Sequence, residues 1–271
     1  MRHALTAGAV VLAAVAAAAG GPRLAAEASA ARPATAVSAN TVSANTGAKA
    51  AAINWGKPWF TDNFNATKVN PKWWWVYNSP TDRTPRTVQS VQEKQGTLRL
   101  ITHTQKPYGY VGGGVSFNNP QTYGRWVYRF RVDAGAGSGP GFLMWPKGPW
   151  PADGEVDIIG NLPKNRTGGD IYLIMGSVDH HADFRLPKSV NFTKWHTMAF
   201  DWLPDHMTFW LDGKALWTVK KASGFVPTTP FRLAIQMDAG CDGACHIDKT
   251  TPANTVMYVD WVQIYKKPAG A

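Results

Sequence analysis

Between Pro151 and Asn161 the chain reads PADGEVDIIGN, and two of its acids, Glu155 and Asp157, stand two positions apart in a β-prone run. Alternate residues of a strand share a face, so the two carboxyls project together while Val156 and Ile158 point the other way. Carboxyls side by side repel when both are ionised, which raises the pKa of one unless hydrogen bonds hold a shared proton. Such a pair either does proton-transfer or nucleophilic chemistry or is heavily compensated. An exposed strand that happens to carry two acids is the plain alternative. The neighbours argue against it, because Trp145-Pro146 and Trp150-Pro151 set rigid, aromatic chain beside the acids. Gly160 follows, and its ordinary structural reading is a strand end, Gly-Asn after an apolar run.

The elements that must position these residues are strands. After Ile53 short β-prone runs such as GTLRLITH, YGRWVYRFRV, GFLMWP, DIYLIMGSV, HTMAFDW, FRLAIQM and TVMYVDWVQIY are separated by turn residues. Alternation is plain from Arg125 to Val132, where Arg125, Arg129 and Arg131 interleave with Trp126, Phe130 and Val132. Nothing sustains a 3.6-residue period. About twelve strands punctuated by Gly and Pro predict an all-β sandwich or jelly roll. Leu211-Asp212-Gly213-Lys214 predicts a tight hairpin, since Asp-Gly tolerates the positive φ such turns demand.

Residues 1–30 have a short basic start, an Ala/Val/Leu run and then small residues, the layout of a secretory signal peptide, with cleavage sites competing at Ala28, Ala30 and Ala36. Residues 31–52, small and polar without apolar periodicity, read as a flexible lead-in, and 53–271 as one domain. The protein is therefore expected to be secreted and extracellular, with no membrane association after cleavage. Net charge is +10 over the chain and +7 once the first 52 residues are set aside, but no block of five or six Lys/Arg occurs, which argues against a nucleic-acid partner. A monomer is expected. Cys241 and Cys245 are the only cysteines, and an oxidising compartment predicts that they bridge; a metal site with His246 is the alternative reading. Thirteen tryptophans exceed what a core needs. Indoles are the natural lining of a sugar cleft, where the C–H face of a pyranose stacks, and three to five of them are expected there.

The blocks YGRWVYRFRV, GFLMWPKGPWPADGEVDII, KWHTMAFDW, HMTFWLDGKALWTV, FRLAIQ and MYVDWVQIY, in that order, resemble the family 16 glycoside hydrolases, secreted jelly rolls that cleave β-glucans and related polysaccharides. The resemblance covers nearly everything from Ile53 to Tyr265. It implies a concanavalin-like β-jelly-roll sandwich of two antiparallel sheets with a concave glycan cleft. The family motif is Glu-x-Asp-x-x-Glu or the shorter Glu-x-Asp-x-Glu. Carried over, Glu155 is the nucleophile and Asp157 the assisting carboxylate. The longer motif contains a bulge that returns its last Glu to the face of the first, and that position, the acid/base, is Gly160. The shorter register lands on Ile159. A His-aromatic-Gly on the next cleft strand of many members is replaced by Ile174-Met175-Gly176.

Cleft residues implied by the resemblance are Trp145, Trp150, Arg125, Trp126 and Gln236, binding a β-linked polysaccharide or oligosaccharide. No cofactor is required, although a structural calcium on the convex side would use Asp260. Three readings stay open: a retaining hydrolase whose acid comes from Asp170, Asp179, Asp183, His180 or His181; a non-catalytic glycan-binding protein; and a chain whose Glu was replaced deliberately. His196 and Asp201 read as hydrogen-bonded framework. Asn-x-Thr triplets at Asn65, Asn165 and Asn191 read as chance behind a bacterial-looking leader.

Overall fold

A computed structural model describes residues 53–241 and 245–271; the expected signal peptide and lead-in lie outside the described residues. Sixteen strands are found among them: β1 (Phe60–Asp62), β2 (Trp74–Val76), β3 (Val91–Glu93), β4 (Leu98–Gln105), β5 (Gly109–Val111), β6 (Gly113–Phe117), β7 (Gly124–Val132), β8 (Ser138–Pro146), β9 (Glu155–Gly160), β10 (Asp170–Met175), β11 (Ser177–Arg185), β12 (His196–Trp202), β13 (His206–Leu211), β14 (Lys214–Lys220), β15 (Phe231–Ala239) and β16 (Asn254–Tyr265). Helical structure among the described residues is confined to short 3₁₀ pieces, such as Val88–Ser90 and Lys221–Ser223. One sheet has nine strands in the order β14-β13-β12-β7-β16-β4-β3, with β1 on β16 and β5 on β4; the other has seven, β11-β10-β9-β8-β15-β6-β2. All strand pairs are antiparallel. The chain is thus the two-sheet sandwich that the strand pattern predicts.

Strict alternation in β7 sends Trp126, Tyr128, Phe130 and Val132 inward and leaves Arg125, Arg129 and Arg131 on the outer face of the nine-stranded sheet. From the other sheet Phe142 meets them, stacked on Tyr128 with ring centroids 3.8 Å apart, and Val156, Ile158, Ile171 and Leu173 complete the layer. Each such side chain removed from water contributes about 1.5–3 kcal/mol. The Asp212-Gly213 turn joins β13 and β14 with positive φ at both residues, as the dipeptide predicts. Short strands β1, β3 and β5 carry too few residues to show a period. β11 has no buried residue because it is the edge of its sheet, so its sequence lacks a strand's alternation. Asn165 and Asn191 belong to side-chain turns, each accepting from the backbone N–H and the hydroxyl of the threonine two residues on, which gives two of the three Asn-x-Thr triplets a structural role.

Arg166 fastens the loop that leads from β9 into β10. It is fully buried with φ of 60°, and its guanidinium donates to the carbonyls of Asp133, Gly135, Ser138 and Leu162 and to Ser138 Oγ. Burial lowers its pKa to about 10, so it stays charged at neutral pH. Replacing it leaves several carbonyls buried without a donor, at about 1–3 kcal/mol apiece. Arg166→Met is expected to lower the free energy of unfolding by at least about 3 kcal/mol in urea titrations, far more than Arg→Met changes on the outer sheet face.

Candidate active site

β9 crosses the middle of the seven-stranded sheet and turns its acids to the concave side. Gly154 has φ of 89°, and a Cβ there would lie 2.7 Å from the Ile174 carbonyl, so only glycine lets the chain enter the strand this close to β10. Val156, Ile158 and Ile159 all belong to the core, while Glu155 and Asp157 lie on the opposite face, 1% and 5% exposed. Two consecutive isoleucines can both face inward because β9 carries a bulge: Leu143 pairs with Asp157 but Phe142 with Ile159, and Tyr172 pairs with Asp157 but Asp170 with Gly160. Position 160 is thereby returned to the face of Glu155 and Asp157, as the longer motif requires. A Cβ built on Gly160 meets no atom within 4 Å, and its φ is an ordinary one. Position 160 is an open shelf on that face.

Trp150 Nε1 donates to Glu155 Oε2 at 2.8 Å, and the Trp150 ring stacks on Trp145 at 5.9 Å with 14° between planes. This bond occupies one lone pair of the carboxylate and fixes its orientation beside the Trp145–Trp150 stack. Trp145, Leu143 and Ala234 form an apolar strip with Tyr77, flanked by Trp75 and Trp150. Three tryptophans, Trp75, Trp145 and Trp150, therefore belong to the concave face.

Gln236 lies on the same face but is engaged. Arg86 Nη2 donates to its Oε1 at 3.3 Å, its own Nε2 donates to Asp238 Oδ2 at 3.3 Å, and Arg86 Nε donates to Asp238 Oδ1 at 3.0 Å. Arg86 and Asp238 are 1% and 0% exposed, and the guanidinium lies over the Tyr77 ring. Burial pushes the Tyr77 hydroxyl well above its ordinary pKa. Arg232, opposite Trp145, adds a half-buried cation to the cleft face. Sequence reading missed Arg86, Asp238 and Arg232; an acid 152 positions from its arginine leaves no local signal.

Arg125 and Trp126 are not in the cleft. Both belong to β7 of the other sheet: Trp126 is a core residue stacked on Trp202 at 6.1 Å, and Arg125 pairs with Asp201 at 3.1 Å on the outer face, over Trp210. Asp260 is ion-paired with Arg129, and no group of three or more His, Cys, Asp or Glu converges among the described residues. Cys241 and Cys245 form a disulfide, packed against Gly139 at the end of β8. His196 bonds to Asp212 and to the Asn191 carbonyl, the framework role expected of it.

A sequence model described as "Glycosyl hydrolases family 16" matches residues 80–263. The chain is 24% identical over 230 residues to a glucan endo-1,3-beta-glucosidase A1 from Niallia circulans, an alignment covering 73% of this chain and 34% of that protein. It is 24% identical over 158 residues to a beta-glucanase from Acetivibrio thermocellus, covering 52% of this chain and 43% of that one. It thus spans less than half the length of these relatives. Among solved structures it resembles the catalytic domain of an endo-1,3-beta-glucanase (laminarinase) from Thermotoga petrophila, with a TM-score of 0.69 and 19% identity over 78% of this chain and 98% of that one. It also resembles a Bacteroides ovatus mixed-linkage-glucan protein in complex with a G4G4G3G product, with a TM-score of 0.65 and 20% identity over 76% and 99%.

Asp201 supplies a pH test of its assignment to the framework. Burial raises its pKa to about 6 against the pull of Arg125 and of the Trp210 N–H. The folded state then holds a proton that the unfolded chain has released, so stability is greatest below the ordinary aspartate pKa and declines as pH rises from about 4 to about 6. Asp201→Asn is expected to flatten this part of the pH–stability curve, by on the order of 2 kcal/mol across the window, read from urea midpoints.

Proposed function

The chain belongs to the glycosyl hydrolases family 16, and from that membership and the geometry of β9 we propose that it is a retaining endo-β-glucanase-type hydrolase with Glu155 as nucleophile and no acid at the usual position. The observation that carries this reading is the Glu155–Asp157 pair on the concave face, with Glu155 oriented by Trp150. In the first step the Glu155 carboxylate forms a bond to the anomeric carbon, and the bond to the leaving oxygen breaks. That oxygen must gain a proton, and in the second step water must lose one as it displaces Glu155. Asp157, between the two positions, tunes its neighbours. Trp75, Trp145 and Trp150 offer the faces on which sugar rings stack.

A β-linked glucan is the substrate class we infer, supported by what the similar glucanases are named for acting on. Export is supported by the leader-like N-terminus and by the disulfide. A second reading has its own observation: the open shelf at Gly160 removes a catalytic group while leaving the aromatic strip in place, which suits glycan binding with little turnover.

General acid–base assistance is worth about 10²–10⁴-fold. Gly160→Glu, whose Cβ would meet no atom within 4 Å, is expected to raise reducing-sugar release from laminarin or mixed-linkage β-glucan by up to that factor, and Glu155→Ala to abolish it in either background. The first product of the Gly160→Glu enzyme should keep the β configuration by NMR. An α product would make Glu155 a base for water and overturn its assignment as nucleophile; inactivity of Gly160→Glu on both polymers would overturn the glucanase reading.

A further inference from the structure

The two proton transfers left without an owner are tied to a place, the shelf over Gly160, and five side chains compete to reach it. Asp179 and His180 are exposed in the irregular part of β11 beyond the Ile174–His181 pair, past the Glu155 end of the cleft, and His180 Nδ1 sits 2.8 Å from the Met175 carbonyl oxygen. His181 stacks on Tyr172 and is level with Ile174, hence with Glu155 itself. Asp183 is level with Tyr172 and so with Asp157, two strands from β9, with the Arg185 guanidinium 3.7 Å away. None of the four is level with the shelf.

Asp170 is. It pairs directly with Gly160 across β9 and β10, and residues directly opposite each other in an antiparallel pair share a face. The alternation agrees: Asp170, Tyr172 and Ile174 lie opposite Gly160, Asp157 and Glu155 in turn. Asn161 Nδ2 donates to Asp170 Oδ2 at 3.2 Å, which ties the carboxyl to the Gly160–Asn161 corner. Asp170 is half-buried, and its strand is about 4.8 Å from β9, within the reach of a carboxyl over a glycine that has no side chain of its own.

We propose that Asp170 is the general acid and base of this chain, moved one strand sideways from the usual position and acting over the space that Gly160 leaves. The proposal rests on the reading of Glu155 as nucleophile. As Glu155 bonds to the anomeric carbon, the electron pair of the breaking C–O bond goes to the leaving oxygen, which takes the Asp170 proton. The Asp170 carboxylate then takes a proton from water as the water oxygen attacks the anomeric carbon and frees Glu155. A glutamate at position 160 would occupy the same space and make Asp170 dispensable.

The test is Asp170→Asn in two backgrounds, with laminarin and a dinitrophenyl β-glucoside of laminaribiose as substrates. In the parent, Asp170→Asn is expected to cut laminarin turnover by about 10²-fold or more and to slow the burst of dinitrophenol release far less, because that leaving group needs no proton. Sodium azide should restore aryl-glycoside turnover and yield a β-glycosyl azide. In Gly160→Glu, the same Asp170→Asn should change laminarin turnover by less than about threefold. A parent silent on laminarin, an Asp170→Asn variant as active as the parent, or equal losses in both backgrounds and on both substrates would overturn the proposal, the last by making Asp170 structural. Labelling by an activated 2-deoxy-2-fluoro laminaribioside, located by peptide mass, reports Glu155 separately: label on Glu155 with no effect of Asp170→Asn sinks only the relocated acid, and no label sinks the nucleophile.

Discussion

One bulge in β9 decides what the cleft contains. An unbroken strand would send Ile159 to the cleft with Glu155 and Asp157 and would bury position 160. The bulge lets Ile158 and Ile159 both enter the core, 0% and 1% exposed, and turns position 160 outward. Ile158 faces inward in either register, so it is the burial of Ile159 that favours the bulged one, by about 1.5–3 kcal/mol. Apolar packing on one side of the sheet thus fixes where the polar groups stand on the other. It does so whichever residue occupies 160, which is why the shelf keeps its place in the absence of an acid.

Across the sheet from β9, the concave face is organised by the Arg86–Asp238–Gln236 network. Removing a guanidinium and a carboxylate from water is expensive, and their attraction offsets this only when the remaining donors and acceptors are also met. Gln236 contributes on both sides, accepting from Arg86 and donating to Asp238. Arg86 also ties its loop to the sheet through a bridge to Ser79 and another to Gly112. The network therefore anchors the chain segment between β2 and β3 over the cleft floor next to Tyr77, and gives Gln236 a structural task beside any contact with sugar.

How much of this was legible depended on the range of the interaction. Local patterns read correctly: the Asp212-Gly213 hairpin, the alternation of β7, the shared face of Glu155 and Asp157, and, with the family motif, the bulge. Alternation in β7 says that Arg125 and Trp126 face opposite ways, but not which sheet holds the strand, and both fell on the sheet without the cleft. The ion pair of Asp260 was not legible, because its partner, Arg129, is 131 positions away. Arg86 and Asp238 stayed hidden for the same reason, and β11 because an edge strand has no buried face to give it a period.

The acids beside Gly160 are as informative as the glycine itself. A glycine at 160 costs the core nothing, since that position points away from it, and an open shelf asks for no repacking. Glu155 and Asp157 are different: both are buried, and two carboxyls in a shared desolvated site oppose folding unless their charges are stabilised. Trp150 stabilises Glu155 through its N–H, but Trp150 is itself held against Trp145 at the cleft surface, where neither indole is needed by the main core. Packing alone gives no reason to keep two acids there and an indole bonded to one of them. The arrangement suits the glycan proposed above, which would stack on the tryptophans beside the Glu155 carboxylate.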